Sequence, residues 1–405
     1  MNKNIFINQN FFCLWSGKLI SQLGDKFYAI ALAWWVLQKT NSPLMMGLIM
    51  MTSLLPGFII APLAGAYIDR WPRRPILILS DLTRGLPVVI LAGLAFWQQI
   101  EIWQVFTVAI IISLGSTFFD PTVQTVILQI VSLEEIPKAN SLSQIIGGIS
   151  SVMGPLLGAL AVSFFGVSIV ILFNGLSYLI SAICMGLIKI PAIAKKSPAN
   201  RSPWNDLLDG LNYLKKQKKS LIIIAIIGLA HFFIGSLLVA LPFLAKKLDG
   251  NGVQNLGYLE TMMGMGLILG SIIISFRKKE RLRDFNLFLF LVLAGFCYIL
   301  IGLIIYLKIL NVFPYLGLML LLGVLIANAS IYWQSLLQFI TSNEMAGRVF
   351  SISNMIGNVS LPIAFGIFGL LLNFSFIGLL LGLSGASLMV LSGLLLIGYR
   401  QSGSC

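Results

Sequence analysis

Gly65-Ala66-Tyr67-Ile68-Asp69-Arg70-Trp71-Pro72-Arg73-Arg74-Pro75-Ile76-Leu77 is the stretch that decides the fold. An apolar run over residues 45–68 stops at it, and a second run over 75–97, carrying Asp81 and Arg84, begins behind it. The basic turn between them is too short to be a domain. A turn with three arginines joining two apolar runs of spanning length reads as a cytoplasmic hairpin between two membrane helices, because Lys and Arg collect on that side of the bilayer.

The composition of the whole chain agrees. Of its 405 residues, 58% are hydrophobic and only 10% charged, with a mean hydropathy of +0.95. Soluble domains carry roughly 25% charged residues, so most of this apolar surface must meet lipid. The net charge of +13 does not indicate a nucleic-acid partner, since the basic residues fall in short segments between apolar runs and form no continuous face. Cys13, Cys184, Cys297 and Cys405 have neither paired nor metal-type spacing, so no disulfide is expected. No cleavable signal peptide is expected at the N-terminus.

Twelve runs reach the ~20 residues a spanning helix needs: 11–37, 44–68, 75–97, 103–131, 141–165, 168–190, 221–245, 256–276, 285–307, 313–340, 349–372 and 376–399. They are too long and continuous for barrel strands, which leaves an all-α membrane protein. With the N-terminus inside, 20 of the 27 basic residues fall in inner segments and four in outer ones. Both termini are therefore expected in the cytoplasm.

The one long polar insert, 191–220, divides the chain into a six-helix half at 1–190 and another at 221–405. Trp204, Leu207, Leu208, Leu211 and Leu214 share one side of a helix ahead of Lys215, Lys216, Lys218 and Lys219, a pattern suited either to an amphipathic helix on the anionic inner leaflet or to a plain tether. The halves echo one another: Lys138, Ser141, Ser143 and Gly147 match Arg348, Ser351, Ser353 and Gly357, and Gly65, Arg73 and Arg74 match Gly270, Lys278 and Lys279. This favours two pseudo-symmetric six-helix bundles from a duplicated unit.

The opening stretch resembles the signature between the second and third helices of the major facilitator superfamily, roughly G-x-L-a-D-r-x-G-r-r/k. Gly65, Asp69, Arg70, Arg73 and Arg74 match, while Tyr67 and Pro72 depart from it. Further matches are Trp15-Ser16-Gly17, Gly24-Asp25, Phe119-Asp120-Pro121, Lys138-Ala139-Asn140-Ser141-Leu142, Gly154-Pro155 with Gly158, and Gly347-Arg348-Val349-Phe350. Together they are similar to the macrolide-efflux-like branch of drug:proton antiporters, which includes siderophore exporters. Two departures bear on coupling. Ile112, before Gly115, stands where many relatives carry an arginine, and Ser150 and Ala159 replace usual glycines of the fifth span.

The resemblance implies a gating latch of Asp69 with Arg70, Arg73 and Arg74, in which Asp69 meets the helix N-terminus around Val349; Asp81 and Arg84 are able to extend it. The alternative is a turn that only sets topology. Asp25 lies mid-span, where a charge costs at least ~2.5–3.5 kcal/mol. Lys18, Gln22 and Asp25 share one helical face with Tyr28 a turn on, so a carboxylate there is suited to exchanging protons across a wet cavity. It is equally suited to pairing with Lys18 or Lys26, or to capping a break at Gly24. Asp120, beside Pro121 and a turn before Gln124, is a second proton candidate or a partner for a kinked backbone. His231 is a third, set against an ordinary packed histidine.

Tyr28, Asn174, Tyr178, Asn328, Tyr332, Trp333 and Gln334 are substrate-contact candidates with Lys18, Gln22 and Gln124, set against plain helix packing. No G-x-x-x-x-G-K-[ST] loop, metal-ligand set or nucleophile–base pair occurs, so neither an enzyme nor a cofactor is expected. The expected activity is proton-coupled efflux of an amphipathic small molecule by a monomer in the lipid bilayer. Export of an endogenous siderophore or peptide is the alternative within transport, and a transport-inactive receptor or a lipid scramblase the alternative outside it.

Overall fold

The computed structural model describes residues 7–190, 209, 211–215, 217–276, 284–342 and 345–401. Those residues are predominantly helical, with no strand among them. The long helices are α1 (Gln9–Thr40), α2 (Pro43–Thr52), α3 (Leu55–Arg70), α4 (Arg73–Phe96), α5 (Ile102–Ile130), α6 (Ile136–Phe165), α7 (Val167–Leu187), α8 (Lys218–Lys247), α9 (Gly252–Ser275), α10 (Asp284–Tyr306), α11 (Phe313–Ile340), α12 (Ala346–Phe374) and α13 (Ile377–Gln401). Among the described residues, eleven spans are long and apolar enough to cross a membrane by length and composition. The twelfth is α1, whose 32 residues reach about 48 Å at ~1.5 Å per residue. Gln22, Asp25 and Lys26 in its middle are what lower its hydropathy.

The helix ends follow local chemistry. Asn8 caps α1 by accepting from the Phe11 N–H, and Asn41 ends it in the left-handed conformation, φ 46°, with its N–H on the Leu37 carbonyl. Pro43 then opens α2. The second span, expected as one helix, is instead two, broken at Ser53–Leu54. Pro56 sits in the first turn of α3 and has no N–H for the turn before it. Ser113 of α5 satisfies the break: its hydroxyl accepts from the Gly57 N–H at 3.0 Å and donates to the Leu54 carbonyl at 3.3 Å. In a spanning segment, backbone groups freed by a break need such partners.

The chain divides into two compact units, Met1–Asn41 with Thr52–Pro198, and Ser42–Met51 with Ala199–Cys405. In the first, α4 packs on α7 and α5, α1 on α6 and α7, and α3 on α5. In the second, α10 packs on α13 and α11, α8 on α12 and α13, and α9 on α11. These are the same five pairings under the exchange α1/α8, α3/α9, α4/α10, α5/α11, α6/α12 and α7/α13, so the repeat is structural. All of α2 but Thr52 is grouped with the second unit. Gly47 comes so close to α12 that a Cβ there would lie 3.0 Å from the Gly369 Cα and inside contact distance of the Phe365 carbonyl oxygen.

Of the apolar side of the insert, Leu211 and Leu214 lie among the described residues. Leu211 is exposed, whereas Leu214 is not turned to lipid: it is buried in the core of the second unit with Leu336, Leu337, Val349 and Tyr399. The Tyr213 hydroxyl accepts from the Ser342 N–H at 3.4 Å, and Asp209 pairs with Arg348 at 3.4 Å, so the end of the insert is docked on its bundle.

Candidate functional site

Small residues let α1 sink between α6 and α7. A Cβ at Gly154 would lie 2.5 Å from the Lys26 Cβ, and one at Gly158 would lie 3.0 Å from the Phe27 Cα. On the other side, a Cβ at Gly24 would lie 2.6 Å from the Asn174 oxygen, and the rings of Phe27 and Phe173 stack at 5.4 Å. This close approach brings the middle of α1 to Tyr178 of α7, whose hydroxyl donates to the Asp25 carboxylate.

Behind Tyr178 lies a buried ion pair. Arg84 and Asp81, a turn apart on α4, are 3% and 0% exposed and meet at 2.5 Å. The guanidinium is sandwiched between two rings, 4.4 Å from the Phe119 centroid and 4.5 Å from that of Tyr178. Its Nη1 donates to the Ser116 hydroxyl and its Nε to the Ser80 carbonyl, each at 3.2 Å. The stem occupies the space in front of Gly115, where a Cβ would lie 2.6 Å from the Arg84 Cγ. Bonds to a buried guanidinium are what make such a charge tolerable away from water, and the two ring faces add cation–π attraction. Asp25, Tyr178, Arg84 and Asp81 thus form one connected network across α1, α4 and α7.

The other candidates of the first unit lie around it. Tyr28 and Asn174 are buried, and among the described residues the Tyr28 hydroxyl and the Asn174 Nδ2 have no hydrogen-bond partner; the Asn174 oxygen accepts from Ser177 at 3.2 Å. Lys18 and Gln22 are half-buried on α1, and Asp120 and Gln124 are exposed on α5.

Asp81 and Arg84, able by sequence to extend the latch, lie two to three helical turns along α4 from the basic turn, with Arg84 against Tyr178. The turn's own arginines bind helix ends: Arg73 donates to the Thr125 hydroxyl at 3.2 Å and, with the Gln129 amide turned to present its oxygen, to Gln129, and Arg74 donates to the Gly186 carbonyl. Arg70 is exposed, and the side chain of Asp69 lies outside the described residues. Phe119, Ser116 and Gly115 enter the site without having been singled out for it. The available signal was a glycine and an aromatic one turn apart on α5, a slot and a lid for a long side chain.

The second unit holds the remaining candidates separately. His231 puts Nδ1 on the Ile227 carbonyl at 2.9 Å and lines a cavity of about 90 Å³ with Tyr298, Ser330 and aliphatic side chains of α8, α10, α11 and α13. Asn328 donates to the carbonyl of Val324 on its own helix at 2.7 Å. Tyr332 accepts from Asn286 at 2.9 Å, Trp333 is packed into the core with Leu214, and Gln334 is exposed. Among the described residues no group of acids, histidines or cysteines is placed to hold a metal ion.

The chain is similar to known proteins over most of its length. Macrolide efflux protein A of Streptococcus pyogenes is 23% identical over 355 residues, 87% of each chain. A putative bacilysin exporter, BacE, of Bacillus subtilis is 25% identical over 314 residues, covering 75% of this chain and 74% of its own. Among solved structures, the nucleoside transporter NupG superposes with a TM-score of 0.77 at 13% identity, over 96% of this chain and 99% of its own. A bacterial homologue of the iron transporter ferroportin, in an inward-facing state, superposes with a TM-score of 0.73 at 15% identity, over 96% and 98%. The family model of the Major Facilitator Superfamily matches residues 14–366, and with the helices, the repeat and the relatives in agreement, the chain belongs to that superfamily of membrane transporters and is not an enzyme.

Proposed function

We propose that this secondary transporter exports amphipathic small molecules in exchange for protons, and that Asp25 is the group that carries the proton. The observation that supports this most is the hydrogen bond from Tyr178 to Asp25 in a network that also holds a buried Arg84–Asp81 pair. Ionisable groups inside spanning helices are costly and are kept where they serve ion or substrate movement. A carboxylate held by a tyrosine and facing a fixed positive charge changes its protonation without rebuilding its surroundings. Charge movement there biases which side of the membrane the transporter faces, in the manner of alternating access.

The direction of transport rests on the similarity to a macrolide efflux protein. The similarity to a putative bacilysin exporter favours a second substrate reading, export of an endogenous peptide. The 20-to-4 distribution of basic residues supports cytoplasmic termini. Asp120 is proposed as a second proton site, and Asp69 with Arg70 as the movable part of a cytoplasmic latch, since Arg73 and Arg74 are engaged within their own bundle.

The test is accumulation of a compound panel, macrolides and dipeptides included, in efflux-deficient bacteria. Wild type is expected to lower accumulation of at least one compound in a protonophore-sensitive way, and Asp25→Asn at equal expression to abolish this. Equal efflux by wild type and Asp25→Asn refutes the assignment of Asp25. An absence of efflux across the whole panel refutes the exporter reading as stated.

A further inference from the structure

Asp25 is acted on by charges from several helices. They are Arg84 of α4, Asp120 of α5 and Lys26 of its own helix. Tyr178 of α7 binds it directly, and Asp81 of α4 and Tyr28 of its own helix are further titratable groups around it. From α6, Gly154 and Gly158 bring only backbone and space to α1. Arg84 is therefore the one cation among these that is itself buried, since Lys26 is exposed.

Arg84 is held at both its stem and its head. The stem needs the missing side chain at Gly115, the guanidinium needs two ring faces, and polar bonds to Ser80, Ser116 and Asp81 fix its plane. One of those rings is Tyr178, the residue whose hydroxyl reaches Asp25. Replacing the guanidinium therefore removes a ring contact of Tyr178 and the buried positive charge of this network.

We propose that Arg84 is a positioning residue for proton loading at Asp25, a role that rests on the proton-exchange reading above. Its ring contact aims the Tyr178 hydroxyl, and its charge sets the proton concentration at which Asp25 loads. Asp81 holds the guanidinium in place and shares its charge, so the balance between Asp81 and Asp25 tunes the site.

The test needs no substrate. Full-length protein in lipid nanodiscs is titrated with acid while the C=O stretch of protonated carboxyl groups is followed by infrared difference spectroscopy. The band that vanishes in Asp25→Asn belongs to Asp25. In Arg84→Gln its midpoint is expected to move about tenfold in proton concentration to the alkaline side, since an opposite charge nearby is worth one to three pKa units. In Asp81→Asn, which leaves Arg84 in place, it is expected to move to the acid side. Arg84→Lys, which keeps a positive charge, is expected to stay nearer the wild type than Arg84→Gln.

If Arg84→Gln yields no folded protein, the Asp81→Asn and Arg84→Lys titrations decide. An Asp25 band whose midpoint stays put in every folded variant overturns the role of Arg84 and leaves Asp25 as the proton site. A wild-type protein with no band that Asp25→Asn removes overturns the proton reading, and the role of Arg84 falls with it.

Discussion

Gly115→Ala probes the site through one added methyl group. A Cβ at this position would lie 2.6 Å from the Arg84 Cγ, 3.0 Å from its Cδ and 3.3 Å from the Ser80 carbonyl oxygen. Carbon atoms rest at ~3.5–4.0 Å, so the stem must retreat by about 1 Å. A free side chain would swing aside at little cost. Arg84 is tied at both ends, by its helix and by a guanidinium bonded to Asp81, Ser116 and Ser80 between two rings.

Forced overpacking of this kind costs about 1–3 kcal/mol. Alanine also gains up to ~1 kcal/mol of helix propensity over glycine, which masks part of the loss. Gly93→Ala supplies the correction. Gly93 is a helix-interior glycine of α4 whose added Cβ would meet only a Trp97 ring carbon, at an ordinary 3.7 Å. Both variants gain the propensity term, so the expected difference between them is about 1–3 kcal/mol, with Gly115→Ala less stable. Unfolding in mixed micelles at increasing fractions of SDS measures it. If Gly115→Ala matches Gly93→Ala, the Arg84 stem is not held against α5 and the described network is not rigid.

Further perturbations separate packing from transport. Trp333→Ala removes a core side chain beside Leu214 and Val349 and is expected to cost about 3–5 kcal/mol while leaving the exported compounds unchanged; a changed compound profile at unchanged stability would make Trp333 a substrate contact. Ser113→Ala leaves the Gly57 N–H without its partner, at about 1–3 kcal/mol, and is expected to speed amide exchange around residues 53–57; unchanged exchange contradicts the role given to Ser113. Asp209→Ala removes a partly exposed ion pair worth ~0–1 kcal/mol, so no measurable change in stability is expected, and a large loss would mean that the insert is anchored by that charge rather than by Leu214.

Much of this architecture is legible in the residues. Twelve apolar runs, the basic turn at 70–74 and the echo between halves lead to the bundle pair, because lipid leaves a chain few ways to satisfy its backbone. The break in the second span is less visible: Pro56 marks a helix start, but whether α2 and α3 part company depends on Ser113, far along the chain on α5, and on the glycine contact that draws α2 to α12. The central pair of the site is hidden for a similar reason. Asp25 stands out because a mid-span acid needs an explanation, and Tyr178 stands out separately as a polar aromatic within a span. That they meet depends on Gly24, Gly154 and Gly158 letting three helices close, a three-dimensional fact. Sequence proximity draws Arg84 toward the basic turn, whereas its ring and hydroxyl partners come from α5 and α7.

In the proposed mechanism, Asp25 exchanges a proton inside this bundle. Proton uptake by purified protein tests it without any substrate: wild type and Asp25→Asn, in lightly buffered nanodiscs with a pH-sensitive dye, receive the same acid pulse. Wild type is predicted to bind a proton that an equally folded Asp25→Asn does not. Identical uptake by the two proteins across the range in which the transporter works would contradict the account.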